Sequence, residues 1–150
     1  MFTRIVLGVD GSEASGKAVD VAAELAGMLR AEVTVVHAVA DLMMMMPPVA
    51  PTEAMMTPPL LAEDALEDLE KAGREILASA AEHLRAAGVT SSVRLERGPA
   101  AHQIVQIARA SGADLIILGS RGHGKLEELL LGSVSDAVVR EAPCSVLIVR

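Results

Sequence analysis

The sequence predicts an α/β fold: one domain over residues 1–150, built as a doubly wound five-stranded parallel sheet with helices on both faces. Two observations lead there. Short β-branched runs alternate with segments whose apolar residues recur at helical spacing, the pattern of βαβ units. Most of those runs are continuously apolar rather than alternating, as expected of strands covered on both faces. Right-handed crossovers reduce the remaining topologies to a doubly wound sheet.

The first strand, Thr3–Val9, ends at Asp10-Gly11-Ser12. A helix follows from about Glu13, with Ser12 as N-cap and Val19, Ala22, Ala26 and Leu29 on one face. Glu32–Val39 reads as the second strand. Residues 62–87 make a long amphipathic helix with Leu66, Leu69, Ile76, Leu77, Ala80 and Leu84 along its stripe. Glu67/Lys71 and Glu70/Arg74 are spaced four apart on its polar side, and Gly88 stops it. Val89–Glu96 is a third strand, and its alternating pattern suits an edge. Gly98-Pro99 turns into a helix over 100–111, with Ile104, Ile107 and Ala108 apolar. Asp114–Gly119 is the fourth strand, a helix lies near 133–141, and Cys144–Val149 after Pro143 is the fifth. Strands 1, 2, 4 and 5 are expected to be central or covered.

Composition narrows the function. Hydrophobic residues make up 51% of the chain, yet Phe2 is the single aromatic residue, so the core must be packed from aliphatic side chains. A net charge of −7 argues against a general nucleic-acid or membrane-surface binder, while leaving room for a local basic site. The lone cysteine, Cys144, reads as a buried small hydrophobe; one cysteine allows no internal disulfide and suits a reducing cytoplasm. The N-terminal run reads as a strand rather than a signal peptide, and no apolar run reaches the ~20 residues of a membrane span. A cytoplasmic protein with no membrane or nucleic-acid partner is expected.

Residues 40–59 fit no element: five prolines forbid a regular helix or inner strand. Six of the eight methionines lie there, which fits either an apolar loop packing over a ligand or partner, or soft-metal binding by thioethers.

The chemistry concentrates at two glycine-marked strand ends, IVLGVDGS and IILGSRGHG. In open α/β sheets ligands bind beyond the carboxyl ends of the strands, and glycine there admits close approach to the backbone. The segment from Gly119 to Ser133 adds Arg121, His123 and Lys125. Ser133-Val-Ser-Asp136 fits a capping box, so a helix start with unpaired N–H groups should face the crevice, a natural phosphate site. Three familiar phosphate motifs fail. Gly119–Lys125 has Walker spacing but is followed by Leu126 rather than a hydroxyl; the turn after strand 1 lacks the dinucleotide fingerprint; a Ser/Gly-rich pyrophosphatase-type loop is missing there too.

What fits is Gly119, two residues, Gly122, nine residues, then Gly132 and Ser133. This spacing resembles the G-x2-G-x9-G-[ST] pattern of nucleotide-binding universal stress proteins. The resemblance continues through Asp10, the Gly98-Pro99 turn, DLIILGSRG, LGSVS and APCSVLIVR, and leaves out the methionine–proline loop. It implies strand order 3-2-1-4-5 and an ATP site, with magnesium, at the strand 1/strand 4 crevice. Asp10, beside Gly8 and Val9, would bond the ribose, and the backbone around Ala38 would read the adenine edge. Gly119, Arg121, Gly122, His123, Gly132, Ser133, Val134 and Ser135 would surround the phosphates, with Ser133 and Ser135 near the terminal ones or the metal. It also implies a homodimer through the final strand, 144–150.

Plainer roles compete. Asp10 could cap the first helix or make a turn, His37 could be a satisfied core histidine, and His123 and Lys125 could be solvated. No catalytic base is arranged: Glu127 and Glu128 are close in sequence but nothing fixes their geometry, so any hydrolysis should be slow. An AMP or cyclic AMP binder, a nucleotide-free interaction module, and a true ATPase remain as alternatives.

Overall fold

The computed structural model describes residues 1–41, 59–121 and 131–150. Five strands, β1 (Arg4–Gly8), β2 (Glu32–Val39), β3 (Ser91–Arg97), β4 (Leu115–Gly119) and β5 (Ser145–Val149), form one sheet in the order β3-β2-β1-β4-β5. Every neighbouring pair is parallel. The helices are α1 (Glu13–Leu29), α2 (Pro59–Ala86), α3 (Ala100–Ser111) and α4 (Ser133–Glu141).

Strand alternation divides the core into two layers. Ile5 and Leu7 of β1, Val33 and Val35 of β2, and Leu115 and Ile117 of β4 pack against Ala18, Ala22 and Ala26 of α1 and Leu77, Ala80 and Leu84 of α2. The intervening Val6, Val36, Ile116 and Leu118 meet Ile104, Val105 and Ala108 of α3 and Val138 of α4 on the opposite face. The helix after β1 therefore covers one face and the helix after β4 the other, which opens a crevice where the strand order reverses.

Several boundaries differ from the sequence expectation for physical reasons. Thr3 lies outside β1 because its N–H and hydroxyl donate to the Asp114 carboxylate at 2.9 and 3.0 Å. Pro59 opens α2, a first-turn position where a missing N–H costs nothing. Leu69, expected on the buried stripe of that helix, is 40% exposed. Val105, not expected in the core, is buried. β5, expected to be central or covered, is an edge strand whose Val146, Leu147, Ile148 and Val149 are half-buried. Cys144 is half-buried as well, and burial, helped by the Asp114 carboxylate, pushes its thiol pKa up.

The Asp114 clasp ties β1 to β4 at the end remote from the crevice. Burial works to raise its carboxyl pKa, but hydrogen bonds from Thr3 and Arg4 together outweigh that and hold it below the ordinary 3.8. A depressed carboxyl stabilises the fold above its unfolded-state pKa, and that contribution disappears as pH falls through the folded value. Asp114→Ala should thus cost about 1–2 kcal/mol near neutrality. Urea titrations of both proteins should show the gap shrinking towards pH 3, whereas a constant gap would assign the loss to packing.

Candidate nucleotide-binding crevice

The crevice is built from the turn after β1. Asp10 Oδ1 accepts from Ser12 N at 2.9 Å and from Ser12 Oγ at 2.5 Å. Ser12 in turn caps α1, its Oγ accepting from Ser15 N at 3.2 Å. Ser15, 5% exposed, accepts from Asp10 N at 3.1 Å. Gly11 has φ +79°, a conformation that favours glycine, so the chain can reverse sharply into the helix. These local bonds pin the Asp10 carboxylate at the rim of the crevice.

On the other side, β4 ends at Gly119 against the first turn of α1. A Cβ at Gly119 would lie 2.6 Å from the Ala14 carbonyl carbon and 2.8 Å from Ser15 N. Gly8 is similarly confined, its added Cβ falling 2.8 Å from Ile104 Cδ1. Both strand-end glycines thus have a packing reason of their own, beyond admitting a ligand. From Gly119 the chain crosses the sheet end. Ser120 N donates to Val149 O at 2.7 Å, Gly132 N returns to Ser120 O at 2.8 Å, and the Arg121 carbonyl lies 3.3 Å from Ser12 Oγ, whose proton goes to Asp10.

Helix α4 starts at Ser133 as expected, but the capping box does not form. Gly132 is the N-cap and no side chain caps the first turn. Ser133 is the first helical residue, and the Asp136 carboxylate pairs with Arg140 at 3.0 Å. The first-turn N–H groups of Ser133, Val134 and Ser135 therefore meet the crevice at the positive end of the helix dipole. Ser135 is 4% exposed and its Oγ donates to Gly119 O at 2.8 Å, so its proton ties α4 to β4.

Together these elements enclose about 320 Å³, at the lower end of the range for small-ligand sites. Of the residues singled out from sequence, Gly8, Val9, Asp10, Ala38, Gly119, Arg121, Gly132, Ser133, Val134 and Ser135 all line this one crevice. Gly122 and His123 lie outside the described residues, as do Lys125, Glu127, Glu128 and residues 42–58 of the methionine–proline segment. The structure adds Ser15, Val36, His37, Ala100, Ile104 and Leu118 to the lining. The apolar members among these form a wall suited to a flat ring. Ser15 could have been suspected from its place three residues after the Ser12 cap; Ala100 and Ile104 could not, because sequence does not say where α3 crosses the strand ends.

A second, more open groove of about 600 Å³ runs between α1 and α2, lined by Gly16, Asp20, Glu75, Ser79 and His83 among others. It shares Val9, Ser12 and Ser15 with the turn after β1 and the start of α1, but its lining contains neither the end of β4 nor the start of α4. Among the described residues no group of three His, Cys, Asp or Glu side chains could hold a metal ion, and no helix is long and apolar enough to cross a membrane.

Comparison with known proteins agrees with this geometry. The profile of the universal stress protein family matches residues 1–150. Universal stress protein YxiE of Bacillus subtilis is 34% identical over 150 residues, covering 100% of both chains. A Thermus aquaticus universal stress protein is 36% identical over 151 residues, again covering 100% of both. Among solved structures, UspA of Lactobacillus plantarum superposes with a TM-score of 0.81 at 25% identity, over 99% of this chain and 98% of that one. A universal stress protein in complex with cAMP gives 0.72 at 29% identity, over 99% and 97%. The sheet order, the crevice and the full-length match lead to one conclusion: the chain belongs to the universal stress protein family.

Proposed function

We propose that this protein binds an adenine nucleotide, ATP with magnesium, in the crevice between β1 and β4, and that binding rather than turnover is its task. The observation that carries this reading is the convergence of Asp10, an apolar wall and the uncapped start of α4 on one cleft of about 320 Å³. A related family member has been solved in complex with cAMP, which supports an adenine nucleotide as the ligand class.

The residues divide the ligand between them. The Asp10 carboxylate accepts from ribose hydroxyls, the backbone at Ala38 meets the adenine edge, and Val36, Ile104 and Leu118 border the base. Gly132 and the N–H groups of Ser133 and Val134 receive phosphate oxygens, with the helix dipole adding to the attraction. Magnesium would take most of its ligands from phosphates and water, as it commonly does, with the Ser133 hydroxyl within reach of the group. Hydrolysis is at most slow on this reading, because nothing in the sequence fixes Glu127 or Glu128, the acidic residues nearest the phosphate loop, as a general base.

The cAMP relative also favours a second reading, a monophosphate or cyclic nucleotide in the same crevice. Calorimetric titrations with ATP–magnesium, AMP and cyclic AMP distinguish the two. Tightest binding of ATP, weakened by Ser133→Ala, is the expected result; equal affinity for AMP would transfer the assignment.

Assembly as a homodimer through β5 belongs to the same proposal. The half-buried apolar residues of that edge strand offer a surface that a second chain would cover.

A further inference from the structure

The peptide joining Val9 to Asp10 is held at both of its ends. Val9 N donates to Val36 O at 2.9 Å, which carries the β1–β2 pairing one residue beyond Gly8. The Val9 carbonyl is then met by a side chain, His37 Nδ1, at 2.8 Å. On the other side of the same peptide, Asp10 N donates to Ser15 Oγ at 3.1 Å. A carbonyl oxygen only accepts, so His37 Nδ1 carries the proton and donates.

The imidazole is confined where it makes this bond. His37 follows Val33 and Val35 on the sheet face covered by α1 and α2. There α2 presents Gly73, and a Cβ at that position would come within 2.7 Å of His37 Cδ2 and 3.2 Å of Nε2. The notch in the helix therefore seats the ring edge-on, with Nδ1 aimed at Val9. Ser15 fixes the Asp10 peptide from α1, and His37 fixes it from β2.

We propose that His37 is a positioning residue of the nucleotide site, its Nδ1–H setting the Val9–Asp10 peptide and through it the place where the Asp10 carboxylate meets the ribose. This rests on the nucleotide reading above and adds to it a residue acting through Asp10. A histidine that only fills space would tolerate an apolar side chain of similar reach. A histidine needed as a donor would not. It would tolerate asparagine, whose Nδ2 occupies nearly the place of imidazole Nδ1.

The test is calorimetric titration of adenosine and of inorganic tripolyphosphate into wild type, His37→Leu and His37→Asn, repeated with Asp10→Ala as background. Adenosine affinity should fall about tenfold in His37→Leu and recover to within about threefold in His37→Asn. Tripolyphosphate, which does not reach Asp10, should hold within about twofold. In the Asp10→Ala background, His37→Leu should change adenosine affinity little. Unchanged adenosine binding in His37→Leu, or an equal loss for both ligands, overturns the proposal.

A ligand-free measurement stands beside it and does not depend on the leucine variant folding. Nitrogen NMR of wild type should show His37 protonated at Nδ1, with the Asp10 amide exchanging slowly. A ring carrying its proton on Nε2 alone, or no difference in Asp10 exchange between the asparagine and wild-type proteins and a folded leucine variant, contradicts the positioning role. Wild-type protein that binds neither adenosine nor ATP overturns the nucleotide reading instead, and exchange at Asp10 then decides separately whether His37 holds the peptide.

Discussion

Asp10→Ala is expected to weaken adenosine binding by about 30-fold, since hydrogen bonds to an ionised carboxylate are among the stronger ones a site can offer. The same change should leave inorganic tripolyphosphate unaffected or bound slightly more tightly, because a negative charge has left the crevice rim. Some stability goes with it: Asp10 Oδ1 holds both Ser12 N and the Ser12 hydroxyl that caps α1. A loss of about 1 kcal/mol is in keeping with a damaged helix cap. Titrating the folded variant with both ligands separates the effects. Equal weakening of adenosine and tripolyphosphate would show that Asp10 shapes the turn without touching the ribose.

Gly119→Ala should be the most damaging single methyl in the described structure, lowering stability by about 3 kcal/mol or more. The added Cβ would sit 2.6 Å from Ala14 C and 2.8 Å from Ala14 O. These are backbone atoms of a helix whose first turn is already bound to Asp10 and Ser12, so they cannot rotate away. Either β4 separates from α1 or the turn after β1 deforms, and both open the crevice. Gly16→Ala is the control, for nothing lies within 4 Å of its Cβ. Alanine there should stabilise by up to about 1 kcal/mol through helix propensity. Urea midpoints for the two variants should shift in opposite directions; a Gly119→Ala midpoint within error of wild type would mean the strand and helix are not packed as described.

Much of this architecture was legible in the residues, and the failures are instructive. β2 matches its expected bounds, Glu32–Val39, because an apolar β-branched run lies between the end of the first helical pattern and a segment that fits no element. Helices α3 and α4 begin after Pro99 and Gly132, the punctuation that marks them in the sequence. Continuous apolar character misplaced β5, since hydrophobicity reports how much surface a strand wants covered and not whether its own chain covers it. Periodicity also placed Leu69 on the stripe of α2, where it is 40% exposed, while Leu66 one turn earlier is half-buried.

The site shows the same division. Gly8, Asp10, Gly119 and Gly132 line one crevice at the strand ends, while Gly122 of the same spacing lies outside the described residues. Gly119 answers two demands at once: close approach to a ligand and close approach to α1 both require the same missing side chain, and the short distances to Ala14 and Ser15 identify the second. The Ser133–Asp136 pattern pointed to the right helix start while misnaming its cap, for Gly132 takes that position and leaves the first turn open to the crevice. His37 read as an apolar-strand histidine with a satisfied hydrogen bond. It does have one, and the partner, the Val9 carbonyl, is what connects it to Asp10.

The most direct measurement is to denature freshly purified protein and weigh the small molecules it releases, then titrate the refolded or empty protein with ATP–magnesium, AMP and cyclic AMP. The expected result is released adenine nucleotide in near-stoichiometric amount, or, from an empty preparation, saturable binding of added ATP that is weakened by Asp10→Ala. Protein that is correctly folded, releases no nucleotide and binds none of the three at millimolar concentration would contradict it.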